Sequence, residues 1–213
     1  MSLTLDALAI YKDNHLMLQV STHVLPGMVT SVMGPSGIGK STLLDAISGQ
    51  LSAPFSTTGQ VIVDGKGVHD MPAYERQIGM LYQDPLLFEH LTVSDNIRFA
   101  MPKTEQKRLG RDQVQAFIAE QLSKVGLSDI RHRAVQTLSG GQQARVALLR
   151  TLAANPKAVL LDEPFSKLDT TLRQQTREWV FAQLKDRSLP ALMVTHDMED
   201  ANSANGEIIE VSL

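Results

Sequence analysis

The stretch "GPSGIGKST" (34–42) fits the pattern G-x-x-x-x-G-K-[ST]. It directly follows the apolar run "MVTSVM" (28–33) and precedes a helical pattern ending at Ser48-Gly49. Strand, glycine-rich turn and helix in that order make a phosphate cradle. The glycines let backbone N–H groups wrap an anion, Lys40 reaches between β- and γ-phosphates, and Ser41 offers a hydroxyl to Mg²⁺. Gly34, Pro35, Ser36, Gly37, Ile38, Gly39, Lys40, Ser41 and Thr42 are therefore the expected nucleotide-binding loop.

Two carboxylates stand just past another apolar run in "VLLDE" (159–163). Asp162 is placed to hold Mg²⁺ through its water shell, and Glu163 to orient or deprotonate a water. A phosphate loop alone also suits a kinase; a glutamate directly after the metal aspartate favours water as the acceptor. His196 follows the run "ALMVT" (191–195), where a structural histidine is the commoner case and a γ-phosphate contact the alternative. Gln83, in "LYQDP", follows a short apolar run, where its amide reaches both metal and attacking water. In "QTLSGGQQARVALL" (136–149), Ser139, Gly140 and Gly141 precede a helix expected from about Gln142. Their N–H groups and the helix dipole form a second anion-binding start. One site does not need two opposed cradles, whereas a head-to-tail pair of chains does.

The elements that must position these groups are strands. The runs at 28–33, 158–161 and 191–195 each end abruptly in polar or glycine residues, as buried strands of a largely parallel sheet do. Ligands of such sheets sit beyond the carboxyl ends of the strands, so the three tips can converge. Between about 85 and 138 the spacing turns helical: Val114, Phe117, Ile118, Leu122 and Val125 share a face, and Gly126 suits a C-cap. Residues 141–154 and 170–185 form further helices, the first stopped by Asn155-Pro156. Leu172, Trp179, Val180 and Leu184 are expected core contacts of the second.

Composition narrows the partners. The 213 residues carry 20 Lys+Arg against 23 Asp+Glu, a net charge of −3, which argues against nucleic-acid binding. Lys103, Lys107, Arg108 and Arg111 then form a solvated face. With no cysteine, disulfides and thiolate metal sites are excluded. The start "MSLTLDALAI" lacks a signal peptide's basic and apolar regions, and no apolar run is long enough to span a bilayer.

Taken together, these motifs resemble the nucleotide-binding subunit of ABC (ATP-binding cassette) transporters. "GPSGIGKST" is similar to the family's Walker A, Gln83 to its Q-loop and "LSGGQ" (138–142) to its signature. "VLLDEP" resembles the Walker B, "SKLD" (166–169) the D-loop and "THD" (195–197) the switch histidine, all in family order. The resemblance implies one α/β domain over 1–213: a P-loop NTPase core with a mostly parallel sheet and an N-terminal antiparallel β region (1–84 and 139–213), with a helical subdomain at 85–138. It implies that Glu163 is the general base, His196 the γ-phosphate sensor, Tyr11 the adenine-stacking aromatic and Asp169 a link across a dimer. Ser139, Gly140, Gly141 and Gln142 would act on the partner's ATP, with Mg²⁺ at Ser41, Gln83 and Asp162. The implied partners are a membrane permease, a paired cassette (identical or different) and a solute-binding protein, placing the chain at the inner face of the cell membrane. "YQDPLLFEHLTVSDNI" (82–97) resembles importer-type subunits, with Pro85, Leu86, Leu87 and Phe88 where a permease helix docks. A soluble cassette ATPase without a permease and an exporter subunit are the alternatives. Two departures stand out: the short stretch after His196 leaves no room for a regulatory domain, and Lys167 occupies a D-loop position where a small residue is commoner.

Overall fold

The computed structural model of the chain describes residues 1–211. Strands β1 (Leu3–Lys12) and β2 (His15–Val24) form an antiparallel hairpin. Asp13 and Asn14, both at positive φ, make the two-residue turn that matches strand twist. Then come β3 (Val29–Met33), α1 (Lys40–Ser48), β4 (Phe55–Val63), the short β5 (Lys66–Gly67) and β6 (Ile78–Leu81). Helices α2 (Val93–Ala100), α3 (Lys103–Lys124) and α4 (Gly140–Ala153) follow. The chain continues through β7 (Ala158–Asp162), α5 (Thr170–Asp186), β8 (Ala191–Val194), α6 (Met198–Ser203) and β9 (Ile208–Glu210).

Two sheets result. One has the order β2-β1-β4-β5, with antiparallel pairing; the other runs β6-β7-β8-β3-β9. In the second, β3 pairs in parallel with β8 and with β9, and β7 with β8. Every residue of β3, β7 and β8 is buried, which is why these strands read as continuous apolar runs without alternation. The expected α/β class, with a mostly parallel sheet and an N-terminal antiparallel region, is the fold observed.

The chain divides into two compact units. The first comprises Met1–Met80, Pro156–Glu163 and the chain from Phe181 onward. Its core joins Leu3, Leu5, Leu8 and Ile10 of β1 to Leu43, Leu44 and Ile47 of α1 and to Val32, Leu160 and Leu192 of the parallel sheet. Burying each such side chain contributes about 1.5–3 kcal/mol.

The second unit comprises Leu81–Asn155 and Pro164–Val180. Val93 and Ile97 of α2 cluster with Val114, Ile118 and Leu122 of α3 and with Val146 and Leu149 of α4. Residues 139–155 and 164–180, expected with the α/β core, thus pack in this unit, because the apolar face of α4 completes the α2–α3 cluster. Of the predicted face, Val114, Ile118 and Leu122 of α3 and Val125 just past its end are buried, while Phe117 is partly buried against the same cluster. Helical structure begins earlier, however, at Lys103, with Gly110 (φ 77°, ψ 169°) breaking the helix in two. Gly126, at φ 66°, lies just past its end. Trp179 packs against the same cluster and so serves the core. Lys103, Lys107, Arg108 and Arg111 are exposed. No helix among the described residues is long and apolar enough to cross a membrane.

Candidate nucleotide site

In the first unit, α1 starts from Gly39 in the left-handed region, φ 103°, with no side-chain cap and no acid in its first turn. Its opening N–H groups have no side-chain acceptor, and the positive end of the helix dipole faces the loop 34–39. The Lys40 side chain folds back over that loop and donates to the carbonyls of Gly34 (2.7 Å) and Pro35 (2.9 Å). Ile38 is buried and anchors the loop to the core, and Gly37, at φ 84°, faces open space. Ser36, Ser41 and Thr42 remain at least partly accessible.

Strand β7 delivers Asp162, only 9% exposed, to the neighbourhood of the Ser41 hydroxyl. Burial pushes its carboxyl above the usual aspartate range; the Ser41 hydroxyl and the Lys40 charge act against this, while Glu163 and Asp45 add to it. A buried carboxylate beside a hydroxyl is a hard-oxygen donor pair. This suits Mg²⁺, which takes one or two protein oxygens and completes its shell with water and phosphate. The residues present therefore fit the metal.

Glu163 leaves the sheet at φ 45°, a left-handed conformation unfavourable for a residue with a side chain. Its N–H donates to the Val194 carbonyl of β8 at 2.9 Å. The turn brings Glu163 Oε1 within 2.9 Å of Nδ1 of His196, whose ring is 64% exposed. An ionised carboxylate only accepts, so this contact places the proton on Nδ1 and leaves Nε2 on the outer side of the ring. The predicted convergence of the strand tips at 34, 162–163 and 196 is thus realised within one unit. Tyr11, at the end of β1, pairs in register with Leu16 and Ser56 and is partly exposed. Met17, which no motif marks, lies beside the phosphate loop: its methyl is 3.5 Å from where a Cβ on Gly39 would stand.

The second unit carries the other motifs. Helix α4 begins at Gly140, not Gln142, because Ser139 is its N-cap. Ser139 Oγ accepts from Gln142 N–H (3.3 Å) and Gln142 Oε1 from Ser139 N–H (3.0 Å), a reciprocal capping box. Gly140 is exposed, and a Cβ on Gly141 would stand 3.1 Å from Leu168. Asp169 Oδ1 accepts from the Leu172 N–H at the start of α5. Gln83 is exposed, and its neighbour Asp84 is bound by Lys167 at 2.5 Å. The unusual D-loop lysine therefore ties the D-loop to the segment following Gln83.

Two polar residues to which the sequence assigned no role organise residues 85–92. Asn96, fully buried, accepts from Phe88 N–H at 2.9 Å and donates to the carbonyls of Phe88, Leu91 and Thr92. Arg150, on the last turn of α4, donates to the Leu86 (2.7 Å) and Pro85 (3.1 Å) carbonyls and lies 5.6 Å from the Phe88 ring centre. Leu86, Phe88 and Phe99 nevertheless stay exposed, and Phe88 meets Phe99 edge-on at 4.8 Å.

Residues 17–166 match the family described as ABC transporter. The chain is 41% identical over 200 residues to an uncharacterized ABC transporter ATP-binding protein, YnjD, of Escherichia coli strain K12, covering 94% of this chain and 90% of that protein. It is 40% identical over 191 residues to the sulfate/thiosulfate import ATP-binding protein CysA of Thermosynechococcus vestitus, covering 90% and 55% respectively. For CysA of Neisseria meningitidis serogroup A the identity is 37% over 213 residues, covering 98% and 58%. The chain thus spans little more than half of these two import proteins.

Proposed function

This chain belongs to the ABC transporter family as an ATP-binding subunit, and from that premise we propose that it hydrolyses ATP with Mg²⁺ between two head-to-tail cassettes to drive solute import through a separate permease. The observation that carries the chemistry is the Asp162–Glu163–His196 cluster beside the phosphate loop. Lys40 would turn from its loop carbonyls to the β- and γ-phosphates, with α1 N–H groups completing the cradle. Ser41 and Asp162 would hold Mg²⁺, with Gln83 as a further oxygen donor, and the bound metal would supply charge neutralisation for the transferred phosphoryl group. Glu163 would orient the attacking water and accept its proton, and His196 would turn its outward nitrogen to the γ-phosphate. Tyr11 would stack on adenine.

The second cradle, Ser139 to Gln142, would close on the partner's ATP, with Asp169 beside the facing site. An identical or a different cassette would serve. The exposed Leu86, Phe88 and Phe99 would receive a permease helix, holding the chain at the inner face of the membrane, and a solute-binding protein would complete the system. Import is supported by the names of the CysA relatives; the solute contacts would lie on other chains.

The test is solution mass by light scattering for Glu163→Gln, with and without Mg-ATP. The expected outcome is a monomer alone, a dimer with Mg-ATP, and loss of that dimer on adding Ser139→Arg. A monomer under all conditions despite bound ATP would count against the paired cassette.

A further inference from the structure

Arg76 takes no part in the chemistry above, yet it is only 7% exposed and its guanidinium donates to four backbone carbonyls. Nη1 donates to the carbonyls of Ala46 (3.0 Å) and Ile47 (2.8 Å). Nε donates to Met71 (2.8 Å) and Nη2 to His69 (2.5 Å). Ala46 and Ile47 lie in the last turn of α1, whose carbonyls have no partner farther along the helix. A cation at that end also complements the helix dipole. The seat is shaped for it. Gly49, the C-cap of α1 at φ 82°, would with a Cβ stand 2.5 Å from Arg76 Nε.

The other end of the same nine-residue helix presents Lys40 and Ser41. That end starts from a left-handed glycine without a side-chain cap, and its Lys40 side chain is folded back on the loop it must leave to meet a phosphate. Leu43, Leu44 and Ile47 pack α1 into the core. Hydrogen bonds from a planar, buried fork add a directional restraint at the end of its axis. We infer that Arg76 is a positioning residue for the nucleotide site: by joining the last turn of α1 to the 69–71 segment, it sets the axial seat from which Lys40 and Ser41 meet the phosphates. The inference rests on the ATP-binding function proposed above.

The experiment measures Mg-ADP affinity calorimetrically for the wild type, Arg76→Gln, Arg76→Lys and Gly49→Ala. The melting temperature of each without nucleotide is recorded in parallel, and titrations are run well below it. Mg-ADP needs neither hydrolysis nor a second cassette. Arg76→Gln is expected to weaken binding about three- to tenfold. Arg76→Lys should recover part of the loss, since its point charge reaches fewer carbonyls. Gly49→Ala, which displaces the guanidinium from the other side, should move affinity in the same direction. Lower melting temperatures with unchanged Mg-ADP affinity would overturn the inference, leaving Arg76 a fastener of the fold. If Arg76→Gln does not fold, unchanged affinity in the other two variants overturns it equally. A wild type that binds no Mg-ADP would instead remove the nucleotide function on which the inference rests.

Discussion

Two helices of this chain begin in glycine-rich sequence, and they begin differently. In the first unit α1 starts at an uncapped left-handed glycine, its N–H groups without a side-chain acceptor. In the second, α4 starts from a closed capping box, with Ser139 and Gln142 satisfying each other's backbone. Both starts lack an acidic residue in the first turn, whereas α2 and α6 carry Asp95 and Glu199 with Asp200 there. A helix start that receives an external anion has no room for an internal one. The difference in capping then separates their uses. Under the function proposed above, the open start would serve the nucleotide that its own chain binds, and the capped start, its first turn already satisfied, would act when a partner's surface arrives.

This contrast can be broken by experiment. Glu163→Gln should lower turnover about 10²- to 10⁴-fold while sparing nucleotide affinity, read as kcat against Kd. Equal losses in both would mean that the first unit does not separate binding from chemistry. Lys40→Ala should weaken Mg-ATP binding about 10- to 100-fold in a single chain, since it removes charge-assisted bonds. Ser139→Ala removes a cap, which costs about 1 kcal/mol of stability. It should leave single-chain Mg-ADP affinity unchanged and weaken only the ATP-dependent pair; an altered single-chain affinity would erase the distinction between the two starts.

Asp162→Asn sharpens the contrast from the side of pH. Burial raises the folded pKa of Asp162, so its ionised form costs stability near neutrality, and that cost fades as pH falls through the raised value toward the ordinary aspartate range. The asparagine variant should therefore melt a few degrees higher without nucleotide near pH 7, lose that advantage in acid, and gain no stabilisation from Mg-nucleotide. Smallest of all, the Lys167–Asp84 pair is largely exposed, and a double-mutant cycle on melting should return about 1 kcal/mol or less. Effects on paired-cassette turnover well beyond that would assign the lysine a coupling role.

The sequence announced the parts of the site that depend on backbone. Gly34, Gly37 and Gly39 are spaced for a phosphate loop, and the all-buried strands ending at Met33, Asp162 and Val194 appear as unbroken apolar runs. It was nearly silent on Arg76, Asn96 and Arg150. Each is a single polar residue whose partners are carbonyls, and a carbonyl has the same chemistry whatever its side chain. No periodicity or motif marks such a residue before the chain is folded. The start of α4 was misplaced by two residues for a related reason: the spacing shows where the apolar face begins, while the cap at Ser139 shows where the helix does. The Glu163 backbone, held at φ 45°, was equally invisible, since glutamate carries no local signal for that conformation.

The grip of Arg150 has a mechanical meaning. Helix α4 is 14 residues long, a stiff rod of about 21 Å. At one tip it holds the carbonyls of Pro85 and Leu86, and at the other it carries Ser139 and Gly140. If a permease docks on the exposed loop as proposed, such a rod would carry a push there to the opposite tip with little lost to bending. It would work in both directions, so closure of a cassette pair at Ser139 would pull on the loop as firmly as the loop pushes on it.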